Sequence, residues 1–397
     1  MDLLLISDNT ASNTRRTFMK IEQTSWNPTR GWEPKPPGGL GASAQLVLLF
    51  AGTQIIKDPQ IFLNTKNTYP QAHILGCSTA GEICGTEVRD NSLVLTAVQF
   101  EHTQVKGTSI QIHDMQESML AGERLTQSLD LENLVHVFVL SEGLNINGSN
   151  LVKGLVKGLP QHVTVTGGLS GDGDRFKETF IISDCPAVKN TIGLIGLYSS
   201  RLKIGYSSLG GWDSFGPDRL ITKSKDNILY ELDGQSALGL YKKYLGEHAE
   251  KLPASGLLFP LSLRLPDGKD WVVRTILGIN EKDQSMIFAG DVPEGSYARL
   301  MKANFERLID GANLAAQGSY DAVGSSSPEL AILISCVGRK MVLGQRIEEE
   351  VESVREILGE NTILTGFYSY GEISPFTSHA KCELHNQTMT ITALSER

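Results

Sequence analysis

The chain lacks the features that would place it in a membrane or in an oxidising compartment. No stretch reaches the roughly 18 consecutive apolar residues that a membrane-spanning helix requires. The first eight residues are too short an apolar run, and too acidic, for a signal peptide. The five cysteines have no CxxC spacing, which argues against a disulfide framework and a structural zinc site. We therefore expect a cytoplasmic protein that does not bind membranes.

Positive charge is also scarce. The 397 residues carry a formal net charge of -9, and no local cluster of lysine and arginine offsets it. Nucleic acid is therefore not expected as a partner, because its phosphates demand a basic surface. The hydrophobic content of 40% is ordinary for a soluble protein, and the length is sufficient for two or three domains.

Several motifs of catalysis and cofactor binding are missing. No GxxxxGK[ST] occurs, and no GxGxxG follows the first strand of a repeat, so a nucleotide site is not indicated. The GxSxG elbow is out of register at Ser170 and at Ser369. The eight histidines form neither HExxH nor CxxCH. A single axial histidine for noncovalent haem leaves no spacing signature, and His73, His102 and His113 are candidates for that role.

What the chain does contain is a threefold internal repeat. Residues 74–83, 163–173 and 363–373 each join a hydrophobic run to a glycine-rich turn. Strand-like runs precede them at residues 46–50, 135–140 and 331–335, and further β-like segments follow at residues 92–98, 191–198 and 388–394. The periods are long and unequal, which predicts duplicated domains instead of a solenoid.

The order of these segments predicts an α/β (α+β) protein with mixed sheets, covering helices and duplicated βα units in two domains. Residues 1–44, rich in proline and glycine, are expected to form a mobile lead-in or an irregular cap. We place the first domain at residues 45–222 and the second at residues 223–397.

The turns are also the candidate binding site. Glycine there permits close approach of another group, and main-chain N–H groups at the end of a strand can hold an anion. Each turn also carries a hydroxyl and an acid, and we expect the turns to converge at a cleft between the two domains. The candidate ligand-binding residues on the turns are Cys77, Ser78, Thr79, Gly81, Glu82, Gly168, Ser170, Asp172, Tyr368, Tyr370 and Glu372.

Arg339 is a further candidate, because it follows an apolar strand through Gly338 and could grip a carboxylate with two hydrogen bonds. Glu82 or Glu372 would then meet a cationic group of the ligand, and Tyr368 or Tyr370 would form an apolar wall. Cys77 is interpreted primarily as a buried apolar filler. A lesser alternative is an enzyme that depends on Cys77 or Ser170.

The turns, taken together and in order, resemble those of FIST-domain proteins. Residues 76–83, 167–173, 366–375 and 385–388 carry this resemblance, with residues 290–296 and 336–339 in support. It extends over roughly residues 45 to 395 and covers both the FIST N-terminal and the FIST C-terminal domain.

The resemblance implies a bacterial sensory module that binds small ligands such as amino acids and is not an enzyme. No required cofactor is implied. Because no output domain is recognisable, the protein is expected to act on a separate partner. Some similar stand-alone proteins bind haem, respond to nitric oxide and regulate a histidine kinase or a cyclic-di-GMP enzyme, that is, a diguanylate cyclase or phosphodiesterase. A haem sensor is therefore the main alternative.

Overall fold

Three sheets of the same construction form the body of the protein. The computed structural model describes residues 18–264, 271–376 and 380–397. Each of the three sheets has six strands and contains one parallel pair. The pairs are Leu46–Ala51 with His73–Ser78, Leu134–Ser141 with Thr164–Leu169, and Leu330–Cys336 with Ile363–Ser369. These are the strands that the sequence repeat predicts, and the predicted α+β class with mixed sheets is confirmed.

The three sheets also share their neighbours on one side. An antiparallel strand lies beside the first member of each parallel pair. In the three repeats this strand is Leu93–Phe100, Thr191–Tyr198 and Met389–Glu396. Side chains from the three inner faces, among them Phe50, Phe138 and Phe367, form one hydrophobic cluster. The sheets therefore pack against each other through a shared core.

The strand that follows each glycine-rich turn leaves its own sheet. The hairpin of Glu82–Cys84 and Glu87–Arg89 pairs with Ile363–Ser369 of the third sheet. Ile181–Ser183 pairs with His73–Ser78 of the first sheet. Gly371–Pro375 pairs with Thr164–Leu169 of the second sheet. Each repeat thus lends a strand to another repeat, and the three exchanges close a ring.

The spatial order of the strands completes the description of these sheets. The first sheet runs Ile181–Ser183, His73–Ser78, Leu46–Ala51, Leu93–Phe100, Met19–Asn27, Gly31–Glu33. The second runs Cys382–His385, Gly371–Pro375, Thr164–Leu169, Leu134–Ser141, Thr191–Tyr198, Gln104–Gln111. The third runs Leu202–Leu209, Met389–Glu396, Leu330–Cys336, Ile363–Ser369, Glu82–Cys84, Glu87–Arg89.

A fourth sheet, the outer sheet, is formed by residues between the second and third repeats. It has eight strands and a hydrophobic core of its own, which the helix Ala237–Leu245 completes. Its strands are, in spatial order, Trp271–Arg274, Leu261–Arg264, Tyr297–Lys302, Asp213–Lys225, Ile228–Leu232, Ser285–Phe288 and Ile276–Asn280, with Gln235–Ser236 paired to Ile228–Leu232.

Helices cover the repeats, as the hydrophobic periodicity predicts. The helix Ile347–Leu358 buries Val351, Val354 and Leu358 on one face and carries Glu348 in its first turn. The remaining helices are Thr53–Ile56, Pro59–Thr68, Ser118–Gln127, Gly148–Lys157, Phe305–Ala322 and Val337–Leu343.

The expected irregular lead-in is wrong for its described part. Met19–Asn27 is a strand that pairs along its length with Leu93–Phe100. Its Glu22 carboxylate accepts hydrogen bonds from the main-chain N–H groups of Gly38, Gly39 and Leu40 at 2.7–3.0 Å. The partly exposed carboxylate of Glu22 therefore holds the proline- and glycine-rich segment in place. Residues 1–17 lie outside the described part of the chain.

The predicted division at residue 222 remains a prediction. The strand Asp213–Lys225 runs through that position without a break. The third sheet combines Leu202–Leu209 with strands that follow the outer sheet in the chain. Sequence neighbourhood and spatial neighbourhood therefore differ in this half of the molecule.

Candidate functional site

The three glycine-rich turns lie side by side. Tyr368 and the first turn exchange two main-chain hydrogen bonds, from Ala80 N to Tyr368 O and from Tyr368 N to Gly81 O, both at 2.8 Å. The Gly171 N–H donates to Ser78 O at 2.9 Å. The Tyr370 hydroxyl contacts Asp172 and donates to the carbonyl of Gly173 at 3.0 Å. The strand exchange thus brings together three segments that are far apart in sequence.

One glycine of each repeat is required by packing. A Cβ atom would lie 2.4 Å from the Leu49 carbonyl oxygen at Gly76, and 1.8 Å from the Leu333 carbonyl oxygen at Gly366. At Gly167 the same distance, to the Val139 carbonyl oxygen, is also 1.8 Å. Since no side chain fits there, this part of the glycine pattern serves the approach of the paired strands and not a ligand.

The acids of the first and third turns have the same surroundings. Glu82 is contacted by the Thr79 hydroxyl and accepts from the Ser92 N–H at 2.9 Å and the Ser92 hydroxyl at 2.7 Å. Glu372 accepts from the hydroxyl of Ser369 at 2.5 Å and that of Thr388 at 2.9 Å. Burial raises the pKa of Glu82 to about 7 and that of Glu372 to about 8. These acids tie each turn to the strand that follows it.

The second turn departs from this pattern. The buried Asp172 accepts from the main-chain N–H groups of Phe176 and Lys177 at 2.8 and 2.9 Å, so it holds the loop that follows. The Ser170 hydroxyl is buried and has no hydrogen-bond partner among the residues that the structure describes. The first and third repeats therefore share a hydroxyl–acid contact that the described residues of the second repeat do not form.

Arg339 does not project into a cleft, and that expectation is wrong. Its side chain is 0% exposed. The guanidinium donates to Glu350 Oε2 from both Nε and Nη2, at 3.0 and 2.7 Å. It also donates to the carbonyls of Gly210 and Leu308, each at 2.7 Å. Because its donors are satisfied inside the protein, Arg339 links the end of the third parallel pair to neighbouring helices.

Other predicted residues are likewise held in the interior. The Tyr368 hydroxyl donates to Glu350 Oε1 at 2.6 Å, and the Ser78 hydroxyl accepts from the Phe180 N–H at 3.0 Å. Cys77 is buried, and burial raises the pKa of its thiol well above the usual value, so a thiolate nucleophile is not favoured there. Gly168 packs against Ile334.

A cleft of about 440 Å³ opens where the three repeats meet. It contains Thr79, Gly81 and Glu82 of the predicted set, and Tyr368 lies beneath it through contact with Gly81. The first repeat contributes Gly52, Thr79, Ala80, Gly81, Glu82, Asp90 and Asn91, the second Gly173, Asp174 and Arg175, and the third Val337, Lys340, Met341 and Gly344.

The cleft carries charges of both signs. Lys340 Nζ donates to the Ala80 carbonyl at 2.9 Å, contacts Asp90, and lies 5.6 Å from the centre of the Tyr368 ring. The Lys340 side chain is 18% exposed, whereas that of Asp90 is 67% exposed. Arg175 is 44% exposed and donates from Nη2 to the Thr53 hydroxyl at 3.0 Å. Asp174 is the second carboxylate of the rim.

Sequence reasoning missed the two cations of this cleft. Lys340 follows Arg339 directly in the sequence, and a two-point grip on a carboxylate favours the guanidinium over the ammonium. Arg175 lies two residues after the second turn, which ends at Gly173. The proximity of Arg175 to a glycine-rich turn was a usable signal.

The candidate haem ligands do not have suitable surroundings. His73 Nδ1 lies 2.7 Å from Asp184 Oδ2, and His102 Nε2 lies 3.1 Å from Arg201 Nη1. His113 is exposed. The cavity beside His102, of about 450 Å³, is lined by polar and charged side chains including Lys106 and Asp130. An apolar, planar macrocycle does not fit these partners.

Comparison with known proteins identifies the family. Residues 45–235 match the FIST N domain and residues 237–375 match the FIST C domain. The chain therefore belongs to the FIST family, whose domains are sensory domains of signal transduction. Within the described part of the chain, no helix has the length and apolar character needed to cross a bilayer.

Individual relatives add little about function. An uncharacterized protein of Methanocaldococcus jannaschii is 21% identical over 374 residues, which cover 84% of this chain and 70% of that protein. A solved structure of a cyanuric acid hydrolase from A. caulinodans covers 96% of this chain and 99% of its own, with 6% identity and a TM-score of 0.37. So low a score carries no weight for either fold or function.

Proposed function

We propose that this protein is a cytoplasmic sensor that binds a small zwitterionic ligand, an amino acid or a related metabolite, and regulates an output protein. The observation that carries the proposal is the mixed charge of the cleft, whose volume of about 440 Å³ is lined by Arg175 and Lys340 together with Asp90 and Asp174. That volume lies within the range of small-molecule sites.

The two charged groups of such a ligand would be bound by different side chains of the cleft. Its carboxylate would meet the Arg175 guanidinium, which is partly exposed and has donors to spare beyond its bond to Thr53 and its ion pair with Asp172 at 3.8 Å. Its ammonium would meet the carboxylate of Asp174 or Asp90 on the rim. Glu82, whose oxygens already accept three hydrogen bonds, would shape the floor without taking a direct ion pair.

Lys340 would couple binding to the arrangement of the repeats. This side chain of the third repeat already holds Ala80 and Asp90 of the first repeat. A ligand carboxylate would compete with Asp90 for the ammonium and so shift the balance between two arrangements of the cleft. An output protein can respond only if it distinguishes those arrangements. Similarity to other stand-alone sensors suggests a histidine kinase, a diguanylate cyclase or a phosphodiesterase as that partner.

The test is a thermal-shift screen against amino acids and related metabolites, followed by calorimetry of any that stabilise the protein. We expect Arg175→Gln to weaken binding of the identified ligand by about tenfold or more, because a charge-assisted hydrogen bond is lost. The matched control is Arg30→Gln, a surface arginine paired with Glu33 outside the cleft. Unchanged affinity in Arg175→Gln, or an equal loss in the control, would contradict this binding mode.

The proposal needs no cofactor and no turnover. A purified sample that is mixed with haem and then desalted is expected to retain no Soret band, and the competing haem sensor predicts a retained band that His73→Ala, His102→Ala or His113→Ala abolishes. An enzyme would instead consume the stabilising ligand. Mass spectrometry of the ligand after prolonged incubation separates the sensor from the enzyme, since the sensor returns it unchanged.

A further inference from the structure

The outward face of the outer sheet carries a compact group of aromatic and arginine side chains. Trp271 and Tyr297 are 40% and 39% exposed, which is unusual for rings of this size. Arg264 is the direct cross-strand neighbour of both, since its register partners are Trp271 on one side and Tyr297 on the other. We call Arg264, Trp271, Tyr297 and Arg299 the aromatic–arginine face.

The strand pattern explains why these residues share one face. Leu263 and Val272 alternate with Arg264 and Trp271, and they point into the core of the outer sheet. Ala298 and Leu300 do the same on either side of Arg299. The core therefore takes the aliphatic side chains, and the rings and guanidiniums are left on the opposite side.

Stacking fixes the geometry of the face in advance. The Arg264 guanidinium carbon lies 4.8 Å from the centre of the Tyr297 ring and 5.7 Å from that of Trp271. The Arg299 guanidinium carbon also lies 5.7 Å from the Trp271 ring. A guanidinium stacked on a ring keeps its N–H edge available for acceptors in its plane. Little side-chain entropy then remains to be lost on binding.

The two guanidiniums differ in their partners. Arg299 Nε donates to Asp218 at 2.6 Å, which neutralises it. Within residues 18–264, 271–376 and 380–397, no carboxylate forms an ion pair with Arg264. A protein with a formal net charge of -9 thus presents a local cationic donor between two exposed rings.

We infer that the aromatic–arginine face is a docking surface for a carboxylate-bearing segment of a partner protein. Tryptophan, tyrosine and arginine are the residues that dominate the binding energy of protein interfaces. The open guanidinium of Arg264 selects an acidic side chain of the partner, and the flanking rings cover the apolar part of that segment. Single-stranded nucleic acid fits less well, because a row of phosphates needs several cations, and among the described residues of this face only Arg264 lacks a carboxylate partner.

The surface is independent of the cleft, so its test does not depend on the proposed ligand. The probe is a synthetic peptide of alternating glutamate and leucine, titrated into the full-length protein while the intrinsic tryptophan fluorescence, to which the exposed Trp271 contributes, is followed. A second peptide with glutamine in place of glutamate reports the contribution of charge. Arg264→Gln and Trp271→Ala are the test variants, and Arg30→Gln on the first repeat is the matched control.

We expect saturable binding of the glutamate peptide to the wild-type protein. The affinity for this peptide should fall by about tenfold or more in both test variants and should not change in the control. The glutamine peptide should bind at least about tenfold more weakly. The thermal midpoint of each variant shows whether it is folded. Because Trp271→Ala removes the fluorescent reporter, calorimetry measures its affinity.

Three results would overturn the inference. One is absence of saturable binding to the folded wild-type protein, and another is equal affinity in Arg264→Gln. The third is evidence that the face belongs to a different partner. Such evidence would be tighter binding of an oligothymidylate than of the peptide, or a dimer that Trp271→Ala dissociates in sedimentation.

Discussion

The buried pair of Arg339 and Glu350 shows how strongly local surroundings decide what a side chain does. Removing the cation alone would leave the Glu350 carboxylate, which Arg339 and Tyr368 now share, uncompensated in the interior. We expect Arg339→Met to lower the free energy of unfolding by about 3–5 kcal/mol, measured by urea denaturation.

Arg346→Gln is the comparison for this substitution. Arg346 bonds to Glu349 and Glu306 at the surface, and such pairs contribute about 1 kcal/mol or less. Equal losses in the two variants would show that Arg339 is not a buried structural residue. The double variant Arg339→Met with Glu350→Leu should recover part of the lost stability, because no charge remains buried.

The buried acids of the first and third turns make stability depend on pH. Burial raises the pKa of Glu82 to about 7 and that of Glu372 to about 8, from an ordinary value of 4.5. As the pH rises through this window, the unfolded chain loses its protons first, so the folded form becomes less favoured. For Glu82 the full loss of stability over this pH range is on the order of 3 kcal/mol.

The measurement is the free energy of unfolding between roughly pH 5 and pH 8. In Glu82→Gln the slope against pH should become flatter, whatever the substitution does to absolute stability. A slope that is unchanged in both Glu82→Gln and Glu372→Gln would show that neither acid titrates in this range. Glu178→Gln is the control, since hydrogen bonds from Lys57 and Lys189 lower the pKa of this carboxyl to about 2, so that it does not titrate in this range.

The close approach of paired strands sets the tolerance of each βα unit to substitution. Gly366→Ala would force a methyl group against the Leu333 carbonyl, which lies 1.8 Å from the ideal Cβ position. The strands must then separate, and we expect the free energy of unfolding, measured by chemical denaturation, to fall by about 3 kcal/mol or more.

Gly278→Ala in the outer sheet is the matched control. It also lies in a strand, and its nearest neighbour would be 3.6 Å from the new atom, an ordinary contact. A similar effect at both sites would mean that the loss arises from general strand properties and not from this approach.

The exchange of strands makes the two halves of the chain depend on each other. The hairpin of residues 82–89 and the strand Leu202–Leu209 belong to the third sheet, whose central strands come from the last 70 residues. A fragment of residues 1–235 would leave these strands unpaired and the shared core open.

We expect that fragment to bind a hydrophobic dye and to unfold without a sharp transition. Adding residues 236–397 as a separate chain should restore a cooperative transition in calorimetry. A fragment that unfolds cooperatively by itself would show that the ring is not needed for stability.

Much of the architecture followed from hydrophobic patterning. The three parallel pairs and the antiparallel strands after them lie close to their predicted positions because each strand is a short apolar run bounded by turn residues. The part assigned wrongly, residues 19–44, has few apolar residues of its own. Its strand is specified by pairing with Leu93–Phe100 and by the hydrogen bonds of Glu22, neither of which local composition reveals.

The candidate site was less predictable. Thr79, Gly81 and Glu82 of the predicted set line the cleft, but Arg175 and Lys340 supply its cations and Arg339 is buried elsewhere. The direction of a side chain at the end of a strand depends on which neighbours compete for it. For Arg339 that neighbour is Glu350, which is buried on the helix Ile347–Leu358.

Amino-acid order was enough to establish the threefold repeat, the α+β class and the FIST family, because each rests on local patterns of apolar residues and turns. Only the tertiary structure decided that the repeats exchange strands. It also decided which charged side chains reach the cleft where the turns meet. Those outcomes depend on contacts between residues as many as 341 positions apart, where burial and pairing select one partner among many.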